Sequence, residues 1–573
     1  MNPQAEKLNQ KLGSILTLLS EKGKAIYFPK EGIVAQSAEA KGKAIDATIG
    51  TAIEDDGSPM RLESTAKNIL LPANEVFPYA PSYGVKELRQ LWREQIYLKN
   101  CSLKTEISLP VVSSALTHGL NIMGYLFVNK GDEIILNDKY WGNYKLIFEQ
   151  GYGGVIKTYN TFKGNNFDLE SFETALNANN TSNCNQELGH ASQRKIVLLN
   201  FPNNPTGYSL NFEEGVEILE RIKKCAQKGN KIVVICDDAY FGLFYESITY
   251  KESLFSLLAD LNENVLAIKL DGATKEDYAW GLRVGFITYG GKNLKQENYS
   301  ALEDKTAAVI RASISNVSNL SQNLILHTLK SADYKEEKEV KYKILQRRYL
   351  QVKNVLKDKK YTQYFSALPY NAGYFMCVQL KEGLDAERIR QTLLQKYDTG
   401  VIALPGMLRI AFSGVKEENI LKLFENIYGA CAEQSEVLKM NKITIVGAGN
   451  VGSQAGFYAA LKGLGVELGD VSLYLLGAFI GAPGFVGALL GGEDLVSDNS
   501  SLKGNLSYTE VGGGIFIHNE LKQFMNKLFF DLITDYLGEQ MNEAEFSPLL
   551  TRQLNMTLYP AMFELGVNAY KDL

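Results

Sequence analysis

The chain reads as an α/β protein. A large domain is expected to carry a mixed, mostly parallel sheet with helices on both faces, joined to a smaller α+β domain and followed by an appended segment with a Rossmann-like start. Three observations predict this. Between residues 108 and 285 short apolar runs alternate with longer amphipathic stretches, the pattern of strands connected by crossover helices. A densely charged stretch with apolar residues at helical spacing, Lys330 to Lys360, separates this region from a second α+β segment. Near Met440 the character changes, and a charge-free, glycine-rich stretch soon follows.

A chain of 573 residues exceeds what one hydrophobic core organises, so about two to four domains are expected. The expected divisions are 1–60 (an N-terminal arm and part of the small domain), 61–330 (the large domain), 331–432 (the rest of the small domain) and 433–573 (the tail). With 45% hydrophobic and 22% charged residues the composition is that of a soluble globular protein. The formal charge of −5 and the absence of any Lys/Arg block point away from a nucleic-acid partner. Six scattered cysteines without CxxC spacing read as reduced thiols of a cytoplasmic protein. Four histidines far apart in sequence give no support to a metal cluster or a Ser-His-Asp triad. Met1 to Leu19 mixes Glu6, Lys7 and Lys11 with apolar residues, which predicts a short amphipathic helix and not a signal peptide.

The strand candidates of the large domain, in order, are Leu109–Val112, Glu133–Leu136, Lys195–Leu199, Lys231–Cys236 and Val265–Leu270. Phe212–Lys228 has the period of a helix with Glu and Lys on its outer face, and the Asn-rich Asn177–Gln193 reads as a surface loop. Lys330 to Lys360 predicts one long helix between domains, and Tyr374–Gln379 and Leu408–Phe412 are strands of the smaller domain.

Each large-domain strand candidate is followed by a residue able to do chemistry. In open α/β sheets ligands bind outside the carboxyl ends of the strands, so this placement outweighs any single motif. After the first comes Ser113-Ser114-Ala115-Leu116, small residues opening a helix whose free N–H groups suit a phosphate. After the second comes Trp141, an aromatic face for a planar ring, although a tryptophan is more often core. The third leads into Asn203-Asn204-Pro205-Thr206-Gly207, a tight turn that can aim the Asn204 amide into a crevice. Past the fourth stand Asp237 and Tyr240: a carboxylate at a buried strand end needs a cation, which a protonated ring nitrogen would supply. Past the fifth, Lys275 precedes Arg283 by eight residues, an amine able to form a Schiff base beside a guanidinium fork for phosphate. Each alone has an ordinary structural explanation. Together they are the set that pyridoxal phosphate requires.

On these motifs residues from about 25 to 430 resemble the class I/II aminotransferases, fold type I of the pyridoxal-phosphate-dependent enzymes. The order NPTG, then DxxY, then lysine with Gly281-x-Arg283-x-Gly285 carries the likeness. The resemblance implies that Lys275 binds pyridoxal 5'-phosphate, Asp237 pairs with its ring nitrogen, and Asn204 and Tyr240 contact its hydroxyl oxygen. It also implies stacking by Trp141, and phosphate contacts from Ala115, Leu116 and Arg283. Tyr79 matches the tyrosine that reaches the neighbouring subunit's phosphate, implying a homodimer. Arg409 matches the arginine for the substrate α-carboxylate, and Gly50 a small residue near the substrate. One departure is Gly272, where the family usually has a serine on phosphate; Thr274 stands nearby.

The implied activity moves an amino group from an L-amino acid to a 2-oxo acid by a ping-pong Schiff-base mechanism, with the freed Lys275 as proton carrier. A lyase or decarboxylase on the same scaffold is the alternative. In the tail, Gly447, Gly449 and Gly452 follow a strand candidate and resemble the start of a malate or lactate dehydrogenase, so a bifunctional chain with a NAD-binding tail is a minor alternative. The acidic residue expected about twenty positions on is missing. Val471–Gly492 is long enough to span a bilayer, but Pro483, its glycines and its acidic flanks favour a buried segment or loop; no membrane partner is expected.

Overall fold

The computed structural model describes residues 2–29, 32–178, 193–440, 509–511 and 514–516. The chain divides into two compact units, Met1–Gln434 and Ser435–Leu573. The first is built on a seven-stranded sheet. Its strands in chain order are β1 (Val111–Ser113), β2 (Glu133–Asn137), β3 (Val155–Tyr159), β4 (Arg194–Asn200), β5 (Lys231–Asp237), β6 (Val265–Gly272) and β7 (Gly285–Gly290). In space they lie β1-β7-β6-β5-β4-β2-β3. The ladders from β6 through β3 are parallel, and β7 runs antiparallel to both of its neighbours.

The apolar runs form central strands because helices cover both faces of the sheet, so successive side chains all find a core. Alternation remains visible: Ile196 and Leu198 pack on one face with Ile134, Ile235 and Ile268, whereas Val197 and Leu199 pack on the other with Ile135, Val234 and Ala267. β3 is an edge strand with mostly solvent-facing side chains, and its sequence VIKTY carries little apolar signal. The helix Phe212–Gln227 starts on a capping box in which Asn211 and Glu214 satisfy each other's backbone N–H groups.

The second sheet comprises β8 (Phe365–Ala367), β9 (Phe375–Leu380), β10 (Ile402–Leu404) and β11 (Met407–Ala411), ordered β8-β9-β11-β10 and antiparallel throughout. Ile45–Asp46 pairs with Thr399–Gly400, returning the N-terminal segment to this part of the unit. The charged stretch forms one helix, Tyr334–Val355, shorter at both ends than its periodicity suggests; a 3-10 turn, Lys359–Gln363, follows.

The helix Ile420–Met440 runs to the end of the continuously described chain, and beyond it the described residues of the second unit form one hairpin, Thr509–Val511 with Gly514–Phe516. Gly447, Gly449, Gly452, the run 471–492 and most of the Asn-rich stretch (179–192) lie outside the described residues. Among the described residues no helix is long and apolar enough to cross a membrane, and no His/Cys/Asp/Glu group could hold a metal ion.

Candidate active site

Sheet direction gathers the site. The parallel strands bring Asn200 and Asp237 side by side as the last rungs of β4 and β5. Asn200 then donates from Nδ2 to the Asp237 carbonyl at 2.8 Å and accepts the Asn204 N–H at 2.9 Å, fixing the turn that carries Asn204. Because β7 is antiparallel, its first residue, Gly285, stands opposite Gly272 of β6 and Ser113 of β1. Arg283, just before β7, therefore shares an edge with the carboxyl ends of β1 and β6. It adopts a left-handed conformation (φ 54°), is exposed, and donates to the Trp280 carbonyl at 3.3 Å.

Lys275 lies in a four-residue helix, Ala273–Glu276, directly after β6. Its ammonium nitrogen is 5.2 Å from the centre of the Tyr240 ring. Burial, opposed by Asp237 and reinforced by Arg283, brings the amine down to about 8. Asp237 is buried, accepting from the Tyr144 hydroxyl at 2.6 Å on Oδ2 and from the Ala239 N–H at 3.2 Å on Oδ1. Burial raises its carboxyl, while Tyr144 and Lys275 favour the ionised form. The buried Tyr240 hydroxyl is pushed upward by burial. Trp141 is half-buried, edge-on to Tyr144 at 5.6 Å.

Arg409, on β11, is 2% exposed and hydrogen-bonds to no carboxylate. Nη1 donates to Asn204 Oδ1 at 3.2 Å, Nη2 to the Thr48 carbonyl at 2.7 Å, and the guanidinium stacks 4.3 Å from the Phe375 ring centre. Its Nε has no hydrogen-bond partner. Gly50 closes this corner: a Cβ there would meet Phe375 at 2.8 Å and the Tyr240 hydroxyl at 3.4 Å.

Ala115 and Leu116 open the helix Ala115–Phe127, which has no side-chain cap; Ala115 adopts φ 60°. The start of β7 packs on this turn, since a Cβ on Gly285 would lie 2.9 Å from Ala115 Cα. The departure at Gly272 has a steric cause. A Cβ there would stand 2.6 Å from the Val284 carbonyl oxygen and 2.8 Å from Gly285 Cα, so no serine fits. Thr274 Oγ1, by contrast, is buried without a hydrogen-bond partner. Tyr79 stands apart from the cluster and is 91% exposed.

Sequence reasoning missed Tyr144, Phe375 and Tyr374, whose hydroxyl donates to the Lys275 carbonyl at 2.6 Å. Tyr144 alone had a local signal, standing three residues after Trp141 in the same strand-end segment.

The residues present fit pyridoxal phosphate. A partly neutral amine, a buried carboxylate without a hydrogen-bonded cation, an uncapped helix start and an unpartnered threonine hydroxyl answer its aldehyde, ring nitrogen and phosphate in turn. The fold and this cluster define a pyridoxal-phosphate enzyme of fold type I. The chain matches the family described as aminotransferase class I and II over residues 53–427. It is 25% identical over 420 residues to a probable aspartate/prephenate aminotransferase of Aquifex aeolicus, covering 71% of this chain and 96% of that protein. With an aspartate aminotransferase of Bacillus sp. YM-2 the identity is 27% over 259 residues, 44% of this chain and 59% of the relative. Among solved structures, an aminotransferase from Anaerococcus prevotii superposes with a TM-score of 0.62 at 24% identity, covering 72% of this chain and 99% of that one. A kynurenine aminotransferase of Pyrococcus horikoshii gives 0.61 at 15% identity, over 74% and 99%. The chain belongs to the class I and II aminotransferases and is a pyridoxal-phosphate-dependent transferase of amino groups.

Proposed function

We propose that the chain moves the amino group of an L-α-amino acid to a 2-oxo acid, the two substrates using one site in turn. The observation that carries this is Arg409, a buried guanidinium without a carboxylate partner, placed with Asn204 and Gly50. A buried cation left unpaired is costly, and a substrate α-carboxylate relieves that cost with paired N–H donors. Bound beside Lys275, pyridoxal phosphate supplies the electron sink that stabilises negative charge at the substrate α-carbon. The chain's own residues do the rest. Lys275 holds the cofactor, and its amine, brought down to about 8, then takes and returns the α-proton. Asp237, which burial pushes up and which the Tyr144 hydroxyl and Lys275 pull back toward the ionised form, holds the proton of the ring nitrogen. Asn204 and Tyr240 hold the ring oxygen, and Trp141 covers the ring face. Arg283, Thr274 and the N–H groups of Ala115 and Leu116 hold the phosphate. Tyr79, exposed on its own subunit, reaches the phosphate of a second copy in a homodimer. The five described cysteines are free, which supports a reducing, cytoplasmic setting.

Relatives named aspartate/prephenate aminotransferase make aspartate with 2-oxoglutarate the first pair to assay. Glutamate formation that requires both substrates is the expected result. Product released from the amino acid without an acceptor would move the reading to a lyase.

A further inference from the structure

The helix carrying Lys275 has only four residues, too few to hold its own geometry. Its position is imposed by what grips it. The Glu276 carboxylate accepts Lys338 at 2.7 Å on one oxygen and Lys99 at 2.9 Å on the other. Lys338 also meets Asp277 at 3.1 Å, and the Tyr334 hydroxyl donates to the same Asp277 oxygen at 2.7 Å. The Glu276 and Asp277 side chains are 12% and 1% exposed. Glu276 lies flat against Gly242, a left-handed glycine (φ 89°) whose Cβ would stand 2.5 Å from Glu276 Oε1, in the loop that follows Asp237 and Tyr240. Lys338 belongs to the long helix Tyr334–Val355, and ten residues on, about 15 Å along its axis, the buried Arg348 donates to the carbonyls of Ile53 and Ser413 at 2.9 and 2.7 Å. Ser413 follows Arg409 by four residues and Ile53 follows Gly50 by three.

We infer that Glu276 and Lys338 are positioning residues: a buried ion-pair joint that fixes the Lys275 helix to the long helix anchoring the Arg409 segment. The inference rests on Lys275 being the cofactor-bound lysine. Burying two acids and two lysines adds little net stability, because desolvation offsets their attraction. What such a cluster does supply is a fixed geometry, and misplacing a reacting group by about 1 Å costs roughly 100-fold in rate. The charges facing Lys275 itself are Asp237 and Arg283, beside the Tyr240 ring; those facing Glu276 are Lys99 and Lys338, with Asp277 and Tyr334 alongside.

The test uses the full chain loaded with pyridoxal phosphate. Glu276→Gln and Lys338→Met are compared by the pH midpoint of the absorbance change of the lysine-bound cofactor and by steady-state rates. Glu276→Gln leaves surplus positive charge beside Lys275, so the midpoint falls; Lys338→Met leaves surplus negative charge, so it rises. Both lower kcat roughly tenfold with little change in KM, and Lys338→Arg restores the rate. A loss of packing alone would not move the two midpoints in opposite directions. If Lys338→Met fails to fold, Lys99→Met replaces it, with a rise expected; if Glu276→Gln fails, Asp277→Asn replaces it, with a fall expected. Midpoints that stay put or move together, with kcat retained, overturn the joint while leaving Lys275 as the cofactor lysine. Absence of the absorbance band in the unaltered chain would instead overturn the reading of Lys275.

Discussion

Lys275 titrates near 8 against an ordinary value of 10.5 because burial penalises its charge. In the cofactor-free fold the protonated amine is destabilising. That penalty is complete below about 8, shrinks as pH rises, and is gone above the unfolded value. Lys275→Met should therefore stabilise the cofactor-free protein at pH 7 by about 1–3 kcal/mol, allowing for screening at its open side. Denaturant titrations at pH 7 and pH 10 check this: the advantage must shrink at the higher pH, and a pH-independent difference would refute the depressed amine. Tyr144 gives a second prediction. Its hydrogen bond to the buried Asp237 carboxyl favours the ionised form that pairs with the ring nitrogen, and a bond to a charged group contributes about 1.5–3 kcal/mol, so Tyr144→Phe should weaken pyridoxal-phosphate binding roughly 10- to 100-fold by spectrophotometric titration. Arg409→Lys keeps the charge and loses the planar fork. Its kcat/KM should fall roughly 100-fold, mostly through KM for the amino donor.

At the scale of elements, the site depends on how β6, β7 and the helix Ala115–Phe127 pack. Gly272 is where the family resemblance and the packing disagree. The usual serine would press its Cβ on the Val284 carbonyl, an atom that cannot turn aside. Gly272→Ser should accordingly lower stability by about 1–3 kcal/mol without tightening the cofactor, seen as a lower melting midpoint and an unchanged or weaker binding curve. Elements differed in how legible they were from sequence. β4, β5 and β6 stood out because buried parallel strands are continuous apolar runs, and the residues ending them carried the chemistry. The structure extends each past its apolar run, to Asn200, to Asp237 and, through Asp271, to Gly272. β3 was missed because an edge strand needs few apolar residues. β7 was missed because its six residues are bounded by glycines and run against the parallel pattern. Tyr374, Phe375 and Lys338 were not legible at all, since each acts on a residue distant in sequence. The sequence of the densely charged helix Tyr334–Val355 sets neither Arg348 nor Lys338 apart from its neighbours, yet Arg348 is buried and Lys338 mostly so.

For the molecule as a whole, the family match ends at residue 427 and the first unit at Gln434. A chain ending at residue 440 keeps the whole family match and every residue of the candidate site, so its kcat/KM should stay within about twofold; loss of transfer with folding intact would give the tail a part in the reaction. The proposed homodimer makes a prediction of its own. Mixing Lys275→Ala with Tyr79→Ala subunits should restore about one active site in four, because a mixed two-fold dimer pairs one intact lysine with one intact tyrosine. No gain on mixing would mean that Tyr79 serves its own subunit or none. The central claim is that Lys275 is the residue to which the cofactor binds. Borohydride reduction of the loaded protein followed by peptide mass mapping tests it most directly. A pyridoxyl adduct on Lys275, absent after Lys275→Ala, is the predicted result; an adduct on another lysine, or none, would contradict the account.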